Sequence, residues 1–254
     1  MNTTGKPRRV IILGALSTIA EALARQLAAR GAEIVLAGRR KDALEHIASD
    51  VEARGATKAI AWPIDLAGGS DTEKTFDAMV EALGGRVDAV VVIYGFLGDQ
   101  RMAEMDMAEM DRIIAINFSS AARWCAAAAS VLESQKCGVL LGISSVAGDR
   151  GRQSNYVYGA AKAGLTVLLQ GIAHRLAPSG ARAIAVKLGF VDTAMTAHIK
   201  KGGPLWAKPE AVARQLVGLI DKPGKPVVYL PWFWRPIMSV IRALPTPVIH
   251  KTGL

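Results

Sequence analysis

The chain has 254 residues, so a single domain spanning residues 1–254 is the first expectation. Hydrophobic residues make up 51% and charged residues 21%, which excludes wholesale disorder, and two cysteines exclude a disulfide framework and a four-cysteine zinc site. The formal net charge of +9 favours an anionic partner such as nucleic acid, a phosphorylated cofactor or anionic lipid.

Short apolar runs alternate with longer helical patterns along the whole chain. Most of the runs are continuous and rich in Val and Ile, which is typical of strands covered on both faces. Strands that alternate with helices predict a single doubly wound parallel sheet with helices on both faces, which is a Rossmann-like α/β fold. The predicted strands are 10–13, 34–37, 59–62, 89–94, 139–143, 183–188 and 227–230, and the predicted helices are 18–30, 42–54, 71–83, 102–133 (broken early), 156–176 and 209–220.

The N-terminal residues allow two interpretations. Basic Lys6, Arg8 and Arg9 precede an apolar run at 10–20, and together they imitate a secretory signal. The same residues fit a first strand, a glycine turn and a helix start, and cleavage would delete that whole unit. We therefore expect a cytoplasmic protein.

The first strand–helix turn is a candidate phosphate-binding site. Gly14 can turn the chain sharply after the strand, and Ser17 or Thr18 can cap the next helix. The free N–H groups of a helix N-terminus favour an anion such as a diphosphate. One glycine after a strand also occurs in ordinary turns, so an unspecialised turn stays the alternative.

The end of the second strand carries Arg39, Arg40 and Lys41. A dinucleotide fold selective for NAD usually has an acidic residue here, which binds the ribose hydroxyls. Guanidinium groups instead suit a ribose 2′-phosphate, so the sequence predicts NADP(H). The alternative is a solvated basic helix start, which the dipole of the following helix disfavours.

Tyr158 and Lys162 are four residues apart on a predicted helix, which places both side chains on one face. A nearby ammonium favours the phenolate, so Lys162 is predicted to lower the pKa of Tyr158 and to suit it for general acid–base catalysis. The pattern alone is common in ordinary helices. Ser145, however, ends the preceding predicted strand, so both motifs lie at the same edge of the sheet.

Taken in order, these segments resemble the short-chain dehydrogenase/reductase family over nearly the whole chain. The resemblance implies an NADPH-dependent reductase that transfers hydride to a ketone and gives a secondary alcohol. Tyr158 would be the general acid, Lys162 would bind the nicotinamide ribose, Ser145 would polarise the carbonyl, and Asn117 would hold a water that links Lys162 to solvent. The cofactor-binding residues indicated are Gly14, Ser17, Thr18, Ile19, Arg39, Arg40, Asp65, Leu66, Tyr94, Gly95, Tyr158, Lys162, Gly189, Val191 and Thr193.

The chain departs from the family pattern at three turns. Thr18 and Ala20 stand where the family usually has glycines, which narrows the room around a diphosphate. Tyr94 replaces a smaller residue after the fourth strand, where it crowds the adenosine side or walls the substrate pocket. Leu188 replaces a proline before Gly189, so a rigid turn is lost.

Segments 87–99, 193–200 and 231–242 resemble the decaprenylphosphoryl-2-keto-erythro-pentose reductases. That resemblance implies a lipid-linked keto-sugar substrate and a flavoenzyme partner; because relatives in many bacteria share these segments, another keto-sugar stays an alternative substrate. By resemblance to the wider family, helices 121–129 and 156–176 would form a homo-oligomer interface.

The C-terminal segment 226–254 is predicted to contain the last strand and a basic aromatic tail. Trp232, Phe233 and Trp234 with Arg235 and Arg242 suit a water–lipid interface, which predicts peripheral contact with the inner membrane face. Alternatively, the tail covers the substrate pocket or packs on a neighbouring subunit.

Two other classes of function are alternatives to a reductase. A catalytically idle nucleotide-binding partner of a membrane-associated flavoenzyme stays an alternative, although the intact catalytic residues argue against it. Nucleic-acid binding is not expected, because no basic run with interleaved aromatic residues is present. No metal site is expected, since the histidines have no metal-ligand spacing; they are His46, His174, His198 and His250.

Overall fold

The computed structural model describes residues 8–69, 71–197, 199, 202–222 and 224–251. Lys6, His198 and Lys200 lie outside these residues. The strands are β1 (Arg9–Leu13), β2 (Glu33–Gly38), β3 (Lys58–Pro63), β4 (Ala89–Val92), β5 (Val139–Ser145), β6 (Arg182–Leu188), β7 (Phe190–Val191), β8 (Trp206–Ala207) and β9 (Val227–Leu230). The helices are α1 (Thr18–Ala28), α2 (Lys41–Ala53), α3 (Thr72–Ala82), α4 (Gln100–Met105), α5 (Met107–Ile114), α6 (Ala121–Gln135), α7 (Tyr156–Leu176), α8 (Pro209–Asp221), α9 (Trp234–Ala243) and α10 (Thr246–Ile249), with a π-helical stretch (Ala115–Ser120) and a 3₁₀ turn (Val146–Asp149).

Within the described residues the central sheet is parallel, with seven strands in the order β3-β2-β1-β4-β5-β6-β9. The chain runs outward from β1 to β3 and then returns to β4 on the other side of β1. This reversal of strand order opens a crevice at the carboxyl ends of β1 and β4. The doubly wound parallel fold predicted from the sequence is confirmed.

Both faces of the sheet are buried, and each strand contributes side chains to two cores. On β1, Val10 and Ile12 pack into one core, while Ile11 and Leu13 pack into the other. Side chains of a strand alternate between faces, so a strand covered on both sides has to be apolar at every position. This is the physical reason for the continuous apolar runs.

Several predicted element boundaries differ from the structure by one or two residues. The fourth strand, for example, ends at Val92 rather than at residue 94, because the chain leaves the sheet at the crevice. The early break predicted in helix 102–133 is confirmed, and the segment is divided into α4, α5, the π-helical stretch and α6. Asp106 separates α4 from α5 by capping α5 through Ala108 N–H at 2.9 Å.

The C-terminal helix α9 packs beside the crevice. Its Trp234 and Met238 are buried with Val146 of the 3₁₀ turn. Arg150 donates to the carbonyl oxygens of Ile241 and Leu244, at 2.9 Å and 2.6 Å, and so fixes the end of this helix. Among the described helices none combines the length and the apolar character that crossing a bilayer requires.

Candidate active site

Two connected cavities lie at the carboxyl ends of the strands. The inner cavity, of about 260 Å³, is bordered by Ser145, Tyr158 and Lys162. The outer groove, of about 1070 Å³, is bordered by Gly14 and Arg39 among others. The two are parts of one cleft, because both are lined by Leu16, Ser17, Ile93, Tyr94, Gly95, Leu97, Ala194 and Met195.

Tyr158 lies in the first turn of α7, and the Ser145 hydroxyl lies near enough to its phenol to favour the phenolate. Ser145 accepts a hydrogen bond from Ala147 N–H at 3.1 Å. Burial raises the pKa of Tyr158 to about 12, because the phenolate is poorly stabilised away from water. The sequence predicted a lowered pKa, and this direction is corrected: exclusion of water outweighs the opposing effect of the Ser145 hydroxyl. The phenol is therefore held protonated, as a proton donor has to be.

Lys162 lies one turn further along α7, with its Nζ 5.7 Å from the centre of the Tyr158 ring. It is 3% exposed, and Nζ donates to the Ile143 carbonyl at 3.1 Å. Burial lowers the pKa of Lys162 to about 8. The two predicted partners are thus brought together, and both are shielded from water.

The neighbouring residues Ser144 and Ser145 make different contacts. Ser144 is buried and donates to the Lys162 carbonyl at 2.8 Å, beside Thr166, which donates to the same oxygen at 2.9 Å. Ser144 therefore ties α7 to β5 at the level of Lys162. Ser145 faces the inner cavity, as the sequence predicted.

Asn117 is fully buried in the π-helical stretch. Its amide donates to the Phe96 carbonyl at 2.6 Å and to the Ile113 carbonyl at 2.8 Å, and its Oδ1 accepts from Phe96 N–H at 3.1 Å. Gly95 lies between Asn117 and Lys162, since a Cβ on it would be 2.9 Å from Asn117 Oδ1 and 3.4 Å from Lys162 Nζ. Asn117 thus positions the segment that borders both cavities, and the predicted water link through it stays a prediction.

In the first strand–helix turn, one of the two positions where the usual glycine is replaced lies at the cleft. Ser17 caps α1 by accepting from Ala20 N–H at 3.2 Å, while Thr18 and Ile19 border the inner cavity. Ala20 is buried in the core and borders neither cavity. Only Thr18 therefore narrows the cleft.

Gly14 and Tyr94 pack closely where β1 and β4 end. Gly14 has a φ of +100°, and a Cβ on it would be 2.7 Å from the Tyr94 backbone nitrogen, so only glycine fits. The Tyr94 hydroxyl is hydrogen-bonded to Ser120. Tyr94 borders both cavities, but its hydroxyl is directed to the start of α6.

Arg39, Arg40, Asp65 and Leu66 border the outer groove together with Gly14. Both arginines and Asp65 are exposed. The Leu66 carbonyl accepts from Ser120 and from the Trp124 indole, each at 2.8 Å, which fixes this edge.

The inner cavity is also bordered by three residues that follow β6 in the chain, which are Gly189, Val191 and Thr193. A Cβ on Gly189 would be 1.8 Å from Nε1 of Trp234, so the indole occupies the space beside this glycine. Phe190 contacts the same indole edge-on, with 5.6 Å between ring centres. The tail therefore packs against the wall of the inner cavity, which agrees with the alternative that it covers the pocket, although no local pattern identifies Trp234 as the contacting residue.

Sequence reasoning missed several residues of the inner cavity. Arg152 and Asn155 are not among the predicted site residues, yet both border the cavity that contains Tyr158. Their position between the serine and the tyrosine of the site was the available signal. Among the described residues no group of three or more His, Cys, Asp or Glu side chains could hold a metal ion.

Comparisons with known proteins relate the chain to one family. A family model described as short chain dehydrogenase matches residues 8–203. An uncharacterized oxidoreductase of Mycobacterium tuberculosis is 37% identical over 239 residues, which cover 93% of this chain and 93% of the relative. An alcohol dehydrogenase from the archaeon Thermococcus sibiricus, solved with 5-hydroxy-NADP, has a TM-score of 0.77 and 25% identity over 87% of this chain and 95% of its own. A metagenomic short-chain oxidoreductase in complex with NADP has a TM-score of 0.74 and 27% identity over 88% of this chain and 96% of its own.

Proposed function

Because the chain belongs to the short-chain dehydrogenase family, we propose that this oxidoreductase uses NADPH to reduce a ketone to a secondary alcohol. The observation that carries the proposal is the convergence of Tyr158, Ser145 and Lys162 on one cavity, at the inner end of a long cleft. Two structural relatives were solved with NADP or a derivative of it. The catalytic and cofactor-binding roles predicted for the site residues are part of this proposal.

The cleft fits a dinucleotide with a 2′-phosphate. Gly14 brings β1 and β4 into contact at the strand ends, and Ser17 starts a helix whose N–H groups suit a diphosphate. Exposed Arg39 and Arg40 at the outer groove would hold the 2′-phosphate. The nicotinamide, when bound, supplies the hydride.

Tyr158 acts as the general acid in this proposal. Since burial raises its pKa to about 12, the phenol keeps its proton at neutral pH until a carbonyl oxygen of rising negative charge accepts it. Ser145 donates a hydrogen bond to the same oxygen and polarises the carbonyl. Lys162 binds the ribose, and its charge stabilises the phenolate that forms as the proton leaves.

Replacement of Tyr158 tests the proposal directly. In Tyr158→Phe the ring stays and the transferable proton is lost, so kcat for ketone-dependent NADPH oxidation falls by about 10²- to 10⁴-fold. NADPH binding, measured by fluorescence titration, stays within about twofold of the wild type, because the other residues proposed to hold the dinucleotide, Lys162 and both arginines included, are unchanged. Equal turnover by both proteins would contradict the proposal. A wild type that binds NADPH and reduces no ketone would favour the idle nucleotide-binding partner instead.

For the substrate we propose a keto-sugar, with a lipid-linked keto-sugar as the finer hypothesis. The resemblance of segments 87–99 and 231–242 supports it, and it includes a flavoenzyme partner that supplies the ketone. Exposed Trp232 and Val240 beside Arg235 and Arg242 support peripheral contact of the tail with an anionic membrane surface. The opposite face of α9 covers the cavity wall, so the covering role is also supported.

A further inference from the structure

Three buried side-chain polar atoms have no hydrogen-bond partner among the described residues. One, Nε1 of Trp234, belongs to a residue outside the lining of the inner cavity; the other two are Nε of Arg152 and Oδ1 of Asn155. Both residues border the cavity that also contains Ser145 and Tyr158. Buried polar groups of native proteins are paired with few exceptions, so an unpaired donor and an unpaired acceptor at one cavity indicate groups of a ligand.

The charge of Arg152 has no carboxylate bound to it in the described structure. Its Nη2 donates only to the Met238 sulfur, at 3.7 Å, and a thioether is a weak acceptor. The neighbouring Asp149 contacts Lys187 and accepts from the Tyr229 hydroxyl at 2.9 Å. Burial lowers the pKa of Arg152, and the charge of Asp149 opposes that shift, but a guanidinium stays charged at neutral pH.

Asn155 stands at the N-cap of α7 and yet makes no side-chain capping bond. Asparagine is favoured at this position because its oxygen usually accepts from the first turn of the helix. Here that oxygen has no partner in a residue that borders the cavity, and the Val157 N–H donates to the Gln100 side chain at 3.1 Å instead. The Gln100 side chain therefore accepts the hydrogen bond that an N-cap residue usually accepts, and the Asn155 side chain is not used for capping.

We propose that Arg152 and Asn155 select the substrate, which carries an anionic oxygen group and a hydroxyl group close to its carbonyl. Arg152 binds the anion, either a phosphate or a carboxylate, and Asn155 Oδ1 accepts the hydroxyl proton. Val146, Leu188 and Phe190 border the same cavity and keep water away, which strengthens the interaction between the charges. This assignment rests on the proposed ketone reduction, and it names the class of ketone.

Binding of three matched small ketones to the NADP⁺-loaded protein tests the assignment. Dihydroxyacetone is neutral, dihydroxyacetone phosphate adds a phosphate, and hydroxypyruvate carries a carboxylate. We expect the wild type to bind at least one of the two anions about 10- to 100-fold more tightly than the neutral ketone, and which one identifies the anionic group. Arg152→Gln removes this preference, and Arg152→Lys restores part of it, because a lysine keeps the charge but not the fork of donors.

Two other variants separate the roles. Asn155→Ala weakens binding of all three hydroxyl-bearing ketones and keeps the preference for the anion. Arg214→Gln removes the same charge from an exposed position on α8 that borders neither cavity, so the preference stays. Thermal unfolding of each variant shows that it is folded.

The outcomes distinguish this inference from the proposed function. No binding of either anion, equal binding of anionic and neutral ketones by the wild type, or an anion preference that persists in Arg152→Gln, would overturn the selection by Arg152. Arg152-dependent binding without NADPH oxidation would leave the selection standing and would contradict the reductase proposal.

Discussion

At the scale of single residues, Lys162 shows that a group proposed to act in catalysis can lower the stability of the fold. Lys162 is buried, and no carboxylate among the described residues is its ion-pair partner; its Nζ donates to one backbone carbonyl. Burial lowers the pKa of Lys162 from 10.5 to about 8, which means that the folded protein binds this proton less well than the unfolded chain. The ammonium therefore destabilises the fold in order to be available beside Tyr158.

The sign of this effect gives a pH-dependent prediction. Between pH 10.5 and 8 the unfolded chain takes up the proton and the folded protein does not, so Lys162 lowers stability as pH falls through that window and costs a constant amount below it. The pKa shift corresponds to about 3 kcal/mol of destabilisation by the charged Lys162. Replacing the lysine also removes its hydrogen bond to the Ile143 carbonyl, which takes back about 1 kcal/mol of the gain in stability. Lys162→Met should therefore be about 2 kcal/mol more stable than the wild type at pH 7 and inactive.

Urea unfolding of both proteins at pH 7 and pH 10.5 measures the difference, without added nucleotide. The gain of Lys162→Met should shrink at the higher pH. A methionine variant that is less stable at pH 7, or a gain that does not change with pH, would contradict the assigned cost.

At the scale of elements, the site depends on how closely α7 approaches β5 and the 3₁₀ turn. A Cβ on Gly148 would be 2.7 Å from Ala163 N and 2.9 Å from the Lys162 carbonyl carbon. The turn and the helix are thus in direct backbone contact, which Ser144 reinforces from β5. Because Ser145 lies before this contact and Tyr158 lies one turn before Lys162, the contact fixes both hydroxyls relative to each other.

One methyl group at Gly148 tests that contact. In Gly148→Ala, helix α7 has to move away from the turn, so the free energy of unfolding should fall by about 1–3 kcal/mol and kcat by about tenfold or more. Gly218→Ala in α8 is the matched control, since a Cβ there meets nothing within 4 Å. The control should gain about 0.5–1 kcal/mol and keep its activity. Equal behaviour of the two variants in denaturant melts and turnover assays would show that the contact is not needed.

At the scale of the whole molecule, apolar side chains are exposed on α7 and on the tail, as they also are on α4 and α5. Val167 on α7 is 66% exposed, and a Cβ on the nearby Gly171 would meet nothing. On the tail, Trp232 is 75% and Val240 is 62% exposed. We propose that the α7 face packs on a second copy of the chain and that the tail face contacts lipid.

Charged substitutions on the two faces should have different effects. Val167→Glu places a charge in the proposed subunit interface, so the protein should become monomeric at low micromolar concentration in sedimentation velocity, which corresponds to a dissociation constant raised by about 100-fold or more. Val240→Glu should leave the oligomer intact and weaken binding to anionic vesicles. A Val167→Glu protein with an unchanged sedimentation coefficient would rule out this interface.

Local patterns in the sequence were sufficient for the sheet and for the pair of Tyr158 and Lys162. Continuous apolar runs identify buried strands wherever the two faces are covered, and a spacing of four residues places two side chains on one helix face. Neither inference depends on contacts between residues that are distant in sequence. The same reasoning placed Ser145 at the strand end beside them, and the parallel sheet confirms that position.

The tertiary structure decided what depends on residues distant in sequence. The pKa of Tyr158 rises rather than falls because burial, which no spacing reveals, outweighs the opposing effect of the Ser145 hydroxyl. Arg152 and Asn155 belong to the cavity because their loop folds over it, and Trp234 closes the space beside Gly189 from the other end of the chain. The residue pattern thus determined the main elements and the pairing of Tyr158 with Lys162, since these follow from local periodicity. Long-range packing alone determined how far the site is shielded from water and which side chains line the cavity.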